Sequence, residues 1–220
     1  MLVAQISDIH ARPDLSSLRT LERAIGWLRT LRPDALVISG DLVDGGWRQG
    51  YRLIAESLRS LDCPVHLLPG NGDDVLLMRS ELAAVGTCAA ATGPMHFHAA
   101  INGLTLCGVD VTVAGQSYGD VLPHLPWLTS ALADVTTPIL LFMHQPPIRI
   151  GIEALDHVRC RNEDVLCQAP WRQWTGGRWR SSAAMSIDPY PAGWDRSRSR
   201  HAVPYAHPIR FSLTAEPIFR

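Results

Sequence analysis

The sequence predicts an α/β protein in one domain, and two features of its 220 residues lead to that prediction. First, short apolar runs alternate with segments of helical periodicity through about residue 150, the pattern that produces layered α/β structures. Second, the composition, with 46% hydrophobic and 19% charged residues and a mean hydropathy of +0.03, is that of a globular chain. We therefore expect a single domain over residues 1–220, with an atypical segment at residues 168–200.

Five apolar runs have the length of a buried strand and are followed by turn-forming residues. They are Leu2 to Ile6, Ala35 to Ile38, Val65 to Leu68, Leu104 to Val109 and Ile139 to Met143.

Helices are predicted between these runs. After Ser16 and Ser17, the residue types that begin helices, leucine and isoleucine recur at helical spacing from Leu18 to Leu28, and Pro33 closes the segment. Further helices are predicted at residues 52–61, 75–85 and 127–133.

Charge and targeting signals exclude several classes of function. The net charge of −1 gives no whole-chain basis for binding nucleic acid or an anionic membrane surface. No apolar stretch reaches the roughly 18 residues of a membrane span, and the N-terminus has no signal-peptide pattern. The five cysteines show no metal-binding spacing, so we expect mostly buried thiols, a reducing compartment and a cytoplasmic location.

Polar residues follow four of the five predicted strands. They are Asp8 and His10, then Asp41 and Asp44, then Asn71 and Asp73, and finally His144. Ligands gather at the carboxyl ends of strands in open α/β sheets, so these distant residues are expected to converge on one site.

The residue types in these clusters suit metal ions. Asp8 and His10, two apart on an extended segment, point the same way and can hold one ion. Asp41 follows Gly40, which permits a tight turn, and its two carboxylate oxygens could bridge two ions, whereas Asp44 is assigned to capping or orienting. Taken alone, Asn71-Gly72 is more typical of a simple turn, and a lone histidine such as His144 is more often a core residue than a ligand. Their positions directly after predicted strands are what favour a site.

In order, these motifs read Asp-x-His, Gly-Asp-x-x-Asp, Gly-Asn-x-Asp and His-x-Pro-Pro. The chain thereby resembles the calcineurin-like metallophosphoesterases, most closely the bacterial class III cyclic-nucleotide phosphodiesterases, from Met1 to about Leu166 and again from about His201. The resemblance implies a four-layer αββα sandwich with two divalent ions of manganese, iron or zinc. The implied metal ligands are Asp8, His10 and Asp41 for the first ion, and Asp41, Asn71 and His144 for the second.

The resemblance also implies that a hydroxide bridging the two ions attacks phosphorus, so no side chain is assigned as the catalytic nucleophile. Two positions depart from the family pattern. Gly72 stands where many relatives have a histidine that assists the leaving group, and Gln145 stands where many have a second histidine. Both departures predict reduced or altered activity.

The family's last metal motif, Gly-His-x-His, is missing from this chain. In its place, residues 168–200 contain six arginines, two acids and four tryptophans but no leucine, valine or phenylalanine, a composition from which we expect no core strand. Residues Ala183 to Tyr190 can be written with synonymous codons so that a shifted reading frame encodes the motif. In that frame each codon consists of the last base of one original codon and the first two bases of the next, and the translation begins Gly-His-Val-His. One interpretation is therefore a pair of compensating frame changes, near Gln168 and near Arg200.

The other interpretation is a genuine arm in which arginine and tryptophan bind phosphates and bases. A third, weaker option lets His201 and His207 replace the missing ligands. The function predicted from the sequence is hydrolysis of a small-molecule phosphodiester, with 3',5'-cyclic AMP as the expected substrate and with activity impaired by the missing motif. Two alternatives remain open: an inactive module that binds nucleotide or nucleic acid, and an enzyme acting on glycerophosphodiesters or phosphomonoesters.

Overall fold

Two β-sheets lie face to face, and helices cover both outer surfaces. The computed structural model describes residues 1–86, 92–149, 151–162 and 164–168, and the backbone of two more strands at residues 179–183 and 210–215. The strands are β1 (Leu2–Ser7), β2 (Ala35–Ser39), β3 (Val65–Leu68), β4 (Phe97–Ile101), β5 (Leu104–Gly108), β6 (Gly119–Asp120), β7 (Ile139–Met143), β8 (Cys160–Arg161), β9 (Trp179–Ala183) and β10 (Arg210–Ala215). The helices are α1 (Ser16–Leu31), α2 (Arg48–Leu58), α3 (Val75–Leu82), α4 (Leu125–Leu132), α5 (Glu153–His157) and α6 (Asp164–Gln168).

The first sheet has the strand order β10-β1-β2-β3, and the second has the order β4-β5-β7-β9. Strands β1, β2 and β3 are parallel to one another, as are β5, β7 and β9. The outer strands β10 and β4 are antiparallel to their neighbours. Because β1, β2 and β3 run the same way, their carboxyl ends meet at one edge of the first sheet, and those of β5, β7 and β9 meet at one edge of the second.

Three apolar clusters define four layers. The inner cluster joins the facing surfaces of the two sheets, with Val37 and Leu68 from the first and Leu106 and Phe142 from the second. A second cluster packs α1, α2 and α3 on the outer face of the first sheet. A third packs Leu128 and other residues of α4 on the outer face of the second sheet. The expected αββα sandwich is therefore confirmed.

All five strands expected from the apolar runs are present, as β1, β2, β3, β5 and β7. Strand β4 was not expected. It forms a hairpin with β5 through Asn102 and Gly103, both with positive φ (47° and 80°), which is the tight turn that an Asn-Gly pair favours. The four predicted helices are also present, with ends shifted by at most four residues.

Helix α1 begins at Ser16 and ends before Pro33 as expected, but no serine side chain caps it. The residue before it, Leu15, makes no side-chain cap bond. Instead, the Asp14 carboxylate accepts the Ser16 N–H at 3.0 Å.

Residues 168–200 do supply one strand, because Trp179–Ala183 forms β9, which is parallel to β7 at the end of the second sheet. The expectation that this segment supplies no core strand remains a prediction. Strand pairing uses backbone groups, so a run without large aliphatic residues can still add a strand at the end of a sheet. His201 and His207 lie outside the described residues.

Among the described residues, Cys107 is a buried free thiol, as expected, and Cys63 is a half-buried one. Cys160 is buried as well. No helix among the described residues has the length and apolar character needed to cross a lipid bilayer.

Candidate metal centre

Five residues that the sequence singled out follow the carboxyl ends of four strands. Asp8 and His10 come after β1, Asp41 after β2, Asn71 after β3 and His144 after β7. The backbone ties the first two loops together, since the Asp8 N–H donates to the Gly40 carbonyl (3.0 Å) and the His10 N–H to the Asp41 carbonyl (2.9 Å).

Asp41 lies between two imidazoles. Its Oδ2 is 3.7 Å from His10 Nε2, and its Oδ1 is 3.5 Å from His144 Nε2. Asp8 Oδ1 is also 3.7 Å from His10 Nε2, and Asp8, His10 and Asp41 each offer a ligand atom within 4.8 Å of the others. The structure therefore brings four of the five side chains into one cluster with Asp41 at its centre.

Both histidines are held by their Nδ1 atoms. His144 Nδ1 donates to the Ser39 carbonyl oxygen at 2.8 Å, and His10 Nδ1 lies 2.7 Å from Asp44 Oδ1. Asp44 also accepts a hydrogen bond from the Arg12 side chain. Arg12 therefore holds the Asp44 carboxylate, which in turn orients the His10 ring. These contacts fix each ring through Nδ1 and turn its Nε2 toward the carboxylates. Nε2 is therefore the atom that would bind a metal ion once it has lost its proton, as in metal-binding histidines.

The carboxylates and imidazoles of the cluster shift one another's pKa toward the charged forms. Burial lowers the pKa of His10, but Asp8, Asp44 and Asp41 outweigh it and raise this pKa to about 9. Burial likewise lowers the pKa of His144, and Asp41 raises it to about 9. Burial raises the pKa of Asp41, yet His144, the Gly72 N–H and His10 bring it down to about 2. Asp41 is therefore a carboxylate at neutral pH.

Backbone strain is concentrated at the same residues. Asp8, His10 and Asp41 have φ of 58°, 47° and 53°, and they are three of the seven non-glycine residues with positive φ in the described part of the chain. Such conformations cost free energy and persist where the surroundings fix them, commonly at functional sites. The segment of Asp8 and His10 is therefore not extended as expected. The side chains of the two neighbouring loops converge through these turns instead.

Gly70 makes room for Asp41, and Gly40 makes room for His144. A Cβ on Gly70 would lie 2.2 Å from Asp41 Oδ1, and a Cβ on Gly40 would lie 2.4 Å from His144 Nδ1. The N–H of Gly72 donates to Asp41 Oδ1 at 2.8 Å. Asn71, between Gly70 and Gly72, is thus held beside Asp41 by its flanking backbone, and its side chain is exposed.

The cluster fits a divalent cation. Asp8 Oδ2 is buried and has no hydrogen-bond partner among the described residues, which is costly for a carboxylate oxygen unless a cation or another ligand completes it. Carboxylates combined with imidazoles form the mixed oxygen and nitrogen donor set that manganese, iron and zinc accept.

Two nearby residues form part of the framework: Asp73, which the sequence placed in the converging cluster without a specific role, and Tyr51, which the sequence did not single out. The Asp73 carboxylate accepts hydrogen bonds from the backbone of both the Asp41 and the Gly70 loops, and the Tyr51 hydroxyl donates to it. No local signal distinguishes Tyr51 from any other apolar-face residue of α2. Gln145 directly follows His144 in the sequence. Gln145 is 2% exposed, and its side-chain amide has no hydrogen-bond partner in the described structure.

The family's missing metal motif would follow strand β9, and β9 is the last described element before it. This strand pairs with β7 so that Ala183 lies beside Met143, the residue before His144. The residues after Ala183, where the alternative frame reads Gly-His-Val-His, lie outside the described residues.

Comparison with known proteins gives relatives of two named activities. The chain is 29% identical over 169 residues to a probable glycerophosphodiester phosphodiesterase, GpdQ, of Arcobacter nitrofigilis, covering 71% of this chain and 61% of that protein. It is 29% identical over 167 residues to a probable cyclic nucleotide phosphodiesterase of Synechococcus, covering 71% of this chain and 62% of that protein. The chain thus spans about three fifths of the length of these relatives.

The fold is shared with a solved structure, a dimetal phosphatase from Danio rerio. The two superpose with a TM-score of 0.63 at 15% identity, covering 76% of each chain. The model of the calcineurin-like phosphoesterase family matches residues 1–169, more than half of the sequence, and the chain therefore belongs to the calcineurin-like phosphoesterases.

Proposed function

We propose that the protein is a metal-dependent phosphodiesterase that hydrolyses a small-molecule phosphodiester, with 3',5'-cyclic AMP as the substrate. The observation that carries the proposal is the position of Asp41, whose two oxygens face the Nε2 atoms of His10 and His144. A carboxylate placed between two such nitrogens suits two cations that share it.

In this proposal Asp8, His10 and Asp41 hold one divalent ion, and Asp41, Asn71 and His144 hold the second. When bound, two such ions would supply four positive charges, against the two negative charges of Asp8 and Asp41. The net positive charge would favour binding of a phosphate group and activation of a water molecule. Manganese, iron and zinc all match the donor set. Asp44 and the Ser39 carbonyl fix the histidine rings, so that Nε2 of each is presented without rearrangement.

Proton supply to the leaving group is the weak point of the site. Gly72 has no side chain, and its N–H is engaged by Asp41 at 2.8 Å. Each ion also keeps only three of the four family ligands. Loss of even a residue that only orients a metal ligand typically costs about 10–100-fold in metal affinity or activity. We therefore expect weak binding of at least one ion and severely reduced hydrolysis.

The test is hydrolysis of bis-p-nitrophenyl phosphate with Mn²⁺, with Asp41→Ala as the matched control and metal content measured by elemental analysis. Slow, Mn²⁺-dependent turnover that Asp41→Ala abolishes supports the proposal. Ordinary turnover refutes the impairment, and turnover unaffected by chelator or by Asp41→Ala refutes the metal centre.

The substrate is resolved by a second comparison, because the two relatives are named for different phosphodiesters. Cyclic AMP and a glycerophosphodiester are offered at equal concentration under the same Mn²⁺ conditions. A higher kcat/KM for cyclic AMP supports the proposal, and the reverse preference replaces cyclic AMP with the glycerophosphodiester.

A second candidate is a catalytically inactive module that binds nucleotide or nucleic acid, favoured by the arginine and tryptophan content of residues 168–200. Salt-sensitive nucleic-acid binding that survives chelator and disappears when residues 168–200 are deleted would support it. A cytoplasmic location belongs to our proposal and is supported by the free thiols of Cys63 and Cys107.

A further inference from the structure

One carboxylate connects two of the loops that carry the proposed metal ligands. Asp73 Oδ1 accepts the N–H groups of Leu42 (3.0 Å) and Val43 (3.3 Å), which directly follow Asp41. Asp73 Oδ2 accepts the N–H of Gly70 (2.9 Å), which directly precedes Asn71. The Asp41 and Asn71 loops, from neighbouring strands, are thus tied to each other through one side chain.

A buried tyrosine ties the same carboxylate to a helix. The Tyr51 hydroxyl donates to Asp73 Oδ1 at 2.9 Å and accepts the Asp74 N–H at 3.0 Å. Tyr51 is 0% exposed and belongs to α2, in the outer apolar cluster of the first sheet. Both polar contacts of its hydroxyl are therefore made with the Asn71 loop, while its ring is anchored in the core.

The Asp41 loop needs such an anchor. Gly40 accepts its φ of 97° without strain, but Asp41 has a φ of 53°, which is uncommon for a residue with a side chain. Asp41 is therefore held in this conformation by its contacts. A Cβ on Gly70 would meet Asp41 at 2.2 Å, which shows how closely the two loops approach. A small shift of one loop would change the distance between the Asp41 carboxylate and its partners.

We propose that Tyr51 is a positioning residue of the metal centre, whose hydroxyl fixes Asp73 and through it the relative placement of Asp41 and Asn71. The inference rests on the proposed function, since it assigns a role toward the ions that these residues would hold. Groups that orient metal ligands without touching the metal are typically worth about 10–100-fold in metal affinity.

The test is Mn²⁺ affinity measured by titration calorimetry on the full chain, comparing wild type with Tyr51→Phe. The phenylalanine keeps the ring in the core and removes only the hydroxyl. We expect about tenfold weaker binding. Tyr118→Phe is the matched control, because it makes the same chemical change at a ring that contacts Arg161 instead of the metal loops; its affinity should equal that of wild type.

A purely structural role is separated by Ile54→Val, which removes a buried methylene from the same helix. This variant should lower the unfolding midpoint without changing Mn²⁺ affinity, whereas Tyr51→Phe changes both. If Ile54→Val weakens Mn²⁺ binding as much as Tyr51→Phe does, the positioning role is refuted. Asp73→Asn, which cannot accept the Gly70 N–H at its amide nitrogen, should weaken binding in the same direction.

Amide hydrogen exchange of the metal-free protein gives a readout independent of the ions. Tyr51→Phe should speed exchange at Leu42, Val43, Gly70 and Asp74 at least fivefold relative to wild type, and Tyr118→Phe should not. Unchanged exchange at these amides overturns the inference. Wild-type protein that binds no Mn²⁺ overturns the proposed function, whereas wild-type binding that Tyr51→Phe leaves unchanged overturns the inference alone.

Discussion

At the scale of single residues, the metal centre depends on side chains that are absent as much as on those present. Gly70 has an ordinary negative φ, so its conformation does not require glycine. The requirement is steric, because an added Cβ would lie 2.2 Å from Asp41 Oδ1 and 2.4 Å from Asp41 N. A methyl group here would displace the carboxylate on which both proposed ion positions depend.

Gly70→Ala should therefore destabilise the fold by about 1–3 kcal/mol, the usual cost of overpacking, and abolish Mn²⁺ binding. Gly26→Ala in α1 is the matched control, since nothing lies within 4 Å of the added Cβ and alanine favours a helix over glycine by about 0.5–1 kcal/mol. Urea unfolding and calorimetry measure both effects. A Gly70→Ala protein with wild-type Mn²⁺ affinity would contradict the crowding argument.

His96 makes stability depend on pH. It is 6% exposed, stacks on Trp127 at 4.2 Å, and accepts the Asp110 N–H at its Nδ1 (3.0 Å). Burial, followed by the charge of His124, lowers the pKa of His96 to about 4, compared with about 6.5 in an unfolded chain. The unfolded state therefore binds the proton first as pH falls.

Between pH 6.5 and 4 this histidine should reduce the free energy of unfolding, by up to about 3 kcal/mol once pH 4 is reached. His96→Asn provides the comparison, because its amide oxygen can accept the Asp110 N–H and does not titrate. In urea titrations the stability difference between wild type and His96→Asn should be constant above pH 7 and shift toward the variant below pH 6. If the stability difference between wild type and His96→Asn is the same at pH 7.5 and pH 4.5, the pKa of His96 is not lowered in the folded protein and this argument is wrong.

The residues of the site divide into those that a sequence can reveal and those that it cannot. Asp8, His10, Asp41 and His144 each follow an apolar run, and strand ends converge in α/β sheets, so their clustering was predictable. Asp73 was named with its strand-end cluster, but Tyr51, 22 positions away, contacts it through a hydrogen bond that exists only once α2 packs on the sheet. Tertiary packing, not local pattern, creates that role.

At the scale of secondary structure, capping differs among the helices. Helix α1 is preceded by Leu15 with a φ of 60° and no side-chain cap, whereas α3 is preceded by Asp74, whose Oδ1 accepts the N–H groups of Leu76 and Leu77, each at 3.0 Å. This cap also fixes where α3 leaves the Asn71 loop. The end of the loop is thus set by one carboxylate.

Asp74→Ala should cost about 1 kcal/mol of stability, the typical value for loss of an N-cap, while Asp74→Asn, which keeps an acceptor oxygen, should cost less. The Asp74 N–H bond to Tyr51 is a backbone contact and survives both changes. Thermal unfolding of the two variants compares them directly. Equal losses would indicate that the negative charge, and not the hydrogen bonds, stabilises the helix.

Strands were predictable where burial demanded apolar runs and unpredictable where pairing alone forms them. Strand β3, Val65–Leu68, is buried at all four positions and was located to the residue. Strand β4 alternates between buried or half-buried and exposed positions and contains two alanines, so its apolar signal is weak, although the Asn102-Gly103 pair beside it is a hairpin signal. Strands β9 and β10 are defined by the partners that they find, β7 and β1.

At the scale of the whole molecule, each of the two four-stranded sheets is completed by a strand from the C-terminal quarter of the chain. Strand β10 pairs with β1 over six residues, from Leu2 with Ala215 to Ser7 with Arg210, and β9 pairs with β7 over five. Strands β1 and β7 carry the loops of Asp8 and His144. Without these partners, both would become unpaired edges next to the proposed metal centre.

A chain ending at residue 168 should therefore be less stable than the full protein and prone to associate, because β1 (burial of five of six residues) and β7 (all five residues) would present long apolar edges. A chain ending at residue 215 keeps both pairings and is the matched control. Light scattering and size-exclusion chromatography at increasing concentration would follow association, with urea unfolding for stability. A monodisperse 1–168 protein as stable as the 1–215 protein would mean that β9 and β10 contribute nothing to closing the two sheets, and that residues 168–200 are free to act as a separate nucleic-acid-binding arm.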